Sequence, residues 1–191
     1  MLTMELTPQQ KAARPLLYLG LASIAMSFAG LTSGYVVARS ALVAKSEWQT
    51  IALPAWFFAS TAMVALSSAL LYRAQRVLKS GTAPVREMGI VLILGLLFAA
   101  FQVMGWSELT SKNIYFTGAG SRPEASWLYV ITWFHWMHVL VGNIVLAVML
   151  VRTRRGYYVG AKQLRFTLGA QFWHFLGFLW FYLLGFLLIL R

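Results

Sequence analysis

Residues Ser126–Val151 read SWLYVITWFHWMHVLVGNIVLAVMLV, without a lysine, arginine, aspartate or glutamate. An α-helix needs ~20 apolar residues to cross a hydrocarbon core of ~30 Å, and this run exceeds that length. Four other stretches have the same character: Pro15–Ala38, Ile51–Tyr72, Met88–Trp106 and Phe166–Leu190. They are too long and too uniformly apolar for barrel strands, so helix is the form that satisfies the backbone inside lipid. The expected fold is all-α: a polytopic membrane protein with a bundle of five transmembrane helices.

The composition agrees. Of 191 residues, 60% are hydrophobic and 11% charged, and the mean hydropathy is +0.69. A soluble domain carries about 25% charged residues, so a soluble enzyme or a disordered regulator is a poor reading. Cysteine is absent, which removes thiolate metal sites, disulfides and cysteine nucleophiles. The five acidic residues are all glutamate. A net charge of +11 would suggest nucleic acid in a soluble protein. Here basic loops against an anionic leaflet explain it better, and no nucleic-acid partner is expected.

Charge placement orients the chain. Lys11 and Arg14 precede span one. Arg73, Arg76, Lys79 and Arg86 follow span two. Arg152, Arg154, Arg155, Lys162 and Arg165 follow span four. Together they hold eleven of the 16 basic residues and lie on one side. The opposite side has Arg39, Lys45, Lys112, Arg122 and Arg191. The positive-inside rule then puts the N-terminus in the cytoplasm and the C-terminus outside. Residues 1–14 read as a cytoplasmic tail and 15–191 as one five-helix transmembrane domain. The first span is read as retained, because its apolar core is too long for a signal peptide. The linker from Ser107 to Ala125, with Gly118, Gly120 and Pro123, reads as an irregular outer loop. Trp48, Trp56, Trp106 and Trp127 fall near outer span ends, as an interfacial belt would.

Polar groups inside a membrane are expensive and mark functional candidates. The spans contain His135, His138 and His174, with Gln102, Asn143 and Gln171. His135 and His138, three apart, share a helix face. His135 lies roughly 13 Å along the axis from Ser126, and His174 roughly 12 Å from Phe166. Both depths approach the midplane, so the three imidazoles and Gln171 are expected to form one polar cluster. Three readings of it compete: haem or metal ligation, a hydrogen-bond network that fixes packing, and contact with a lipid headgroup or partner subunit. Gly30 and Gly34 in span one, and Gly169, Gly177 and Gly185 in span five, are candidates for close helix contact.

These segments resemble subunit III of the haem-copper oxidases, in its short five-helix bacterial form. Phe134-His135-Trp136-Met137-His138-Val139 with Gly142 is similar to the family's Phe-His-x-x-His-Val-x-x-Gly pattern. Phe172-Trp173-His174-Phe175 with Trp180 resembles its Trp-His-Phe signature. Phe28-Ala29-Gly30-Leu31, Ser33 and Tyr35 match a pattern in the first helix. Leu53-Pro54, Ser67-Ser68, Gln102 and Trp106 match the helices that follow. The resemblance implies a non-catalytic subunit of a terminal oxidase in the bacterial inner membrane. That complex reduces oxygen to water and translocates protons. It implies partners, subunits I and II, that hold the haem and copper, with no cofactor in this chain. It further implies contact with subunit I and with phospholipid. On this reading His135, His138, His174, Gln171 and Gln102 serve packing or lipid contact, and Gly30, Gly34, Gly142 and Gly177 serve helix packing.

Two positions depart from the pattern. Ile24 stands where the family often has a membrane glutamate, and Gly177 where it often has aspartate. Any proton-related role of those carboxylates is absent here. A subunit III-like partner of a nitric oxide reductase is therefore a rival reading. A haem-binding membrane electron carrier, using His135 or His138 with His174, is a rival of another class. A small-solute channel ranks last, since the spans lack a charged or repeated polar lining.

Overall fold

The computed structural model describes residues 8–118, 120–158 and 163–190, with side chains from residue 12 onward. It consists of five helices: α1 (Pro8–Val43), α2 (Ala55–Lys79), α3 (Val85–Ser111), α4 (Pro123–Arg154) and α5 (Gln163–Leu190). Each is long and apolar enough to cross a membrane. The part of the expected N-terminal tail before residue 8, together with Lys162 and Arg191, lies outside the described residues.

The helices overrun the apolar segments, because hydrogen bonding continues past the last lipid-facing residue. α1 starts seven positions before the expected span and takes in Pro15. α3 runs on to Ser111 and α4 starts at Pro123, so the expected long outer loop shortens to 112–122. α2 begins later than its apolar run. Pro54, at φ −58° and ψ 143°, is its N-cap and keeps the preceding residues out of the helix. At the opposite end, Gly81 and Gly156 take φ of +87° and +65° and turn the chain after α2 and α4.

Helices α2 to α5 form a closed ring in which each packs against the next and α5 returns to α2. A 3–4 spacing of buried residues makes this possible. On α2 it runs Phe57, Ser60, Val64, Ser67, Leu71, Ala74, Leu78. On α3 it runs Met88, Val91, Gly95, Phe98, Gln102, Gly105, Leu109. α4 follows with Ala125, Leu128, Thr132, His135, Val139, Gly142, Leu146, Met149 and Thr153. α5 completes it with Phe166, Ala170, Trp173, Gly177, Trp180, Leu184 and Leu187. A sustained 3–4 repeat is the seam of left-handed helix packing.

Large residues on one seam meet small ones on the next. Phe57 lies over Gly105 in the antiparallel α2–α3 pair. Trp173 covers both Gly95 and Gly142, and Met149 covers Gly169. In lipid, where apolar surface gives no net drive between helices, such close fit supplies much of the attraction.

α1 stands outside the ring, against α4 and α5. Its buried side chains are Phe28, Thr32 and Tyr35. Thr32 Oγ1 shares a hydrogen bond of 3.2 Å with Tyr182 Oη. Tyr35 Oη donates to the Leu190 carbonyl at 3.0 Å. The first half of α1 stands away from the ring. Between it and α4–α5 runs an open apolar groove of about 480 Å³, walled by Leu17, Leu21, Ile24, Val145 and Phe172 with Arg165 at its edge.

Candidate functional site

The polar side chains of the spans lie on the seams or one step off them, and this decides their surroundings. Gln102 sits on the α3 seam. Its amide donates to Ser60 Oγ on α2 at 2.8 Å, and Ser60 in turn donates to the Phe57 carbonyl at 2.7 Å. Trp180 Nε1 donates to Thr61 Oγ1 at 2.9 Å and Trp173 Nε1 to Ser67 Oγ at 2.9 Å, both across α5–α2. Across α3–α4, Trp106 Nε1 donates to Thr132 Oγ1 at 3.0 Å and Trp136 Nε1 to the Ala99 carbonyl at 3.0 Å. Asn143 donates to the Gly95 carbonyl at 3.3 Å. Trp106 is half-buried between α3 and α4.

His135 is fully buried on the α4 seam. It stacks on Trp180 and meets the edges of Phe98 and Phe28. Neither ring nitrogen has a hydrogen-bond partner among the described residues. His138, off the seam, is half-buried between Phe134 and Phe28, and its Nδ1 lies 2.7 Å from the Phe134 carbonyl. His174 follows Trp173 and is also off the seam, half-buried.

The single cluster of three imidazoles expected from depth alone does not form. α4 and α5 run antiparallel with His135 beside Trp180 and Gly142 beside Trp173. That register sets His174 roughly 9 Å along the axis from His135. The two apolar runs, of 26 and 25 residues, are longer than a core of ~30 Å requires, so similar distances from opposite ends do not bring the histidines to one level. No group of three His, Cys, Asp or Glu suited to one metal ion occurs among the described residues. Gln171, half-buried with an unpartnered Oε1, lies further along α5 and away from His135.

The glycines divide in the same way. A Cβ on Gly142 would meet Leu176 at 2.7 Å and Trp173 at 3.1 Å, and one on Gly177 would meet Val64 at 3.2 Å. One on Gly34 would meet the Trp127 ring at 2.8 Å. Gly30 faces open space and is exposed, as is the space beside Gly185. Sequence reasoning missed Gly95, where an added Cβ would run into Asn143 and Trp173, and Gly105, where it would run into the Phe57 ring. Their 3–4 spacing with Gln102 and Phe98 was the available signal.

It also missed Glu124. This carboxylate falls within the linker expected from sequence, yet it lies in the first turn of α4 and is 3% exposed. Arg122 Nη1 stands 3.7 Å from it and also donates to Gln49 Oε1.

The seam therefore joins four helices through neutral hydrogen bonds and aromatic contacts around one buried imidazole. The family model described as cytochrome c oxidase subunit III matches residues 41–190, the whole of the α2–α5 ring. The chain belongs to the cytochrome c oxidase subunit III family. Among its curated relatives, "Cytochrome c oxidase subunit 3" of Cyprinus carpio is 31% identical over 99 residues, which are 52% of this chain and 36% of that protein. "Probable cytochrome c oxidase subunit 3" of Rickettsia bellii (strain RML369-C) is 34% identical over 107 residues, 55% of this chain and 36% of the relative. "Cytochrome c oxidase subunit 3" of Pelomedusa subrufa is 29% identical over 126 residues, 65% of this chain and 46% of the relative. The matched stretches thus span between about a third and a half of the relatives' own length. Family membership and the five apolar helices make this chain a multi-pass membrane protein.

Proposed function

We propose that this chain is the non-catalytic subunit III of a haem-copper terminal oxidase in a bacterial inner membrane. The observation that carries the reading is the family match over the entire α2–α5 ring. In this role the chain packs against subunit I, and it supports assembly and sustained turnover of a complex that reduces oxygen to water and translocates protons. Haem and copper reside in subunits I and II. The seam residues hold the ring rigid and take no part in electron transfer.

The excess of basic residues on the α2–α3 and α4–α5 side supports a cytoplasmic N-terminus and an outer C-terminus. Phospholipid is the proposed occupant of the apolar groove beside α1, with Arg165 placed to meet a headgroup phosphate.

A partner role in a nitric oxide reductase is the second reading. It is favoured by Ile24 and Gly177. Gly177 packs on Val64 and Ser68, which leave little room for the carboxylate that the family pattern carries there.

Affinity-tagged chain extracted from native membranes in mild detergent separates these readings. Co-purification with an oxygen-reducing subunit I and its subunit II is the expected result. Recovery of a nitric oxide reductase moves the chain to the second reading. A haem spectrum from the chain alone refutes both.

A further inference from the structure

At the end of the ring away from the basic loops, the α1–α2 connection folds over the start of α4 and closes a small cavity. It is lined by Tyr35 of α1, Trp48 and Gln49 of the connection, Glu124 and Leu128 of α4, and Leu187 of α5. The room inside, about 10 Å³, is close to that of one water-sized probe.

The polar atoms around it do not satisfy one another. Glu124 is 3% exposed, and neither carboxylate oxygen has a hydrogen-bond partner among the described residues. Arg122 is 3.7 Å away, beyond hydrogen-bond reach. The indole N–H of Trp48 is buried and equally without an acceptor. Gln49 Oε1 is engaged by Arg122, and the Tyr35 proton by the Leu190 carbonyl. The Tyr35 oxygen keeps lone pairs for a further bond.

An occupant must therefore accept from an indole N–H and donate to a carboxylate within the volume of one small molecule. A cation would suit Glu124 but would face the Trp48 N–H and the Arg122 charge. An anion would face Glu124. An apolar group would leave both Trp48 and Glu124 unsatisfied. Water alone meets every requirement. We propose that one ordered water is bound in this cavity, accepting from Trp48 Nε1–H and donating to a Glu124 carboxylate oxygen and to Tyr35 Oη. It ties the α1–α2 connection to the N-terminus of α4. Two to four polar partners is what a buried water ordinarily has.

A density map of the full chain in its native complex, at a resolution that shows ordered solvent, tests this directly. A peak within hydrogen-bond reach of both Trp48 Nε1 and Glu124 is expected. A direct Trp48–Glu124 contact, or Glu124 turned out to bulk solvent, overturns the proposal. Unfolding midpoints of Trp48→Phe, Glu124→Gln and the double variant give an independent readout. Each single variant should lower the midpoint, and the double variant should fall by less than the two shifts combined. Strict additivity overturns the bridge.

Discussion

The imidazole of His135 lies stacked on the indole of Trp180, ring centroids 5.3 Å apart and planes 26° from parallel. Trp180 is in turn fixed by its hydrogen bond to Thr61. The ring is thus held by shape rather than by its own nitrogens. A buried unmatched polar group costs about 1–3 kcal/mol. His135→Phe, which keeps a flat ring and removes the unmatched nitrogens, should leave the unfolding free energy unchanged or raise it. His135→Ala, which opens a cavity, should lower it by about 3 kcal/mol. Chemical unfolding in micelles, followed by helical circular dichroism, measures both. A large loss in His135→Phe would show that the nitrogens have a partner.

The Trp173–Ser67 bond joins residues 106 positions apart across α5 and α2. Trp173→Phe and Ser67→Ala should be coupled by about 1 kcal/mol in a double-mutant cycle. Trp173→Phe paired with Thr61→Ala, which bonds the other indole, should be additive. Coupling in the second pair would mean that the seam transmits strain between its layers.

Glycines on and off the seam should behave in opposite ways. Gly95→Ala brings a Cβ to within 2.8 Å of the Trp173 ring and crowds Asn143. A loss of about 1–3 kcal/mol is expected. Gly30→Ala meets nothing within 4 Å and should leave the chain's own stability within about 0.5 kcal/mol. If the exposed face of α1 meets the catalytic subunit, the same change reduces co-purification of that subunit while the chain remains folded.

Attachment of α1 rests on few polar contacts. Tyr35→Phe removes the bond to the Leu190 carbonyl. A loss of about 1 kcal/mol should raise the open population of α1 roughly fivefold. Hydrogen exchange of the full chain in lipid nanodiscs should show faster exchange confined to α1, with α2–α5 unchanged. Equal acceleration throughout would make α1 an integral part of the ring.

Tyr158 lies in the turn after α4, outside the spans, and is 2% exposed. Burial pushes its hydroxyl above the ordinary value of 10.0, with Arg152 acting in the opposite sense. The stability it contributes is fully present below pH about 10 and is lost as pH rises through the raised folded value. The wild-type unfolding midpoint should therefore decline as pH rises above about 10, and Tyr158→Phe should decline less.

Fold class was legible because the apolar runs are long and unbroken. Helix number and type follow from Ser126–Val151 and its four counterparts. Helix ends were less so: Glu124 and Ser107–Ser111 are polar yet helical, since a membrane helix does not stop where lipid stops. The packing faces were hidden for a specific reason. In water the buried face is the apolar one. Here lipid accepts apolar residues on the outer face too, as Met137, Ile144 and Phe178 show by their exposure. The inward face is marked instead by small and polar residues, Ser60 and Ser67, Gly95 and Gln102, His135 and Gly142, each pair seven apart. Of the polar candidates, His135 and Gln102 fall on this seam, and so do the packing candidates Gly142 and Gly177; His138, His174 and Gln171 do not. Distance along one helix is countable from sequence, but the register between neighbouring helices and the direction a side chain faces depend on how those helices pack.

The attachment of α1 through Tyr182 and Leu190 has a consequence for biosynthesis. α1 leaves the ribosome well before the residues of α5 that bond it. Tyr35 and its partner carbonyl are separated by 155 residues, and at ~5–20 residues per second that interval is roughly 8–30 s. Until Tyr182 is made, neither of these two bonds can form. The ring can begin to close pair by pair, α2 with α3 and then α3 with α4, before α5 is made. A ribosome that stalls before residue 182 leaves α1 in the membrane with neither of its fastenings, whatever the state of the helices already made.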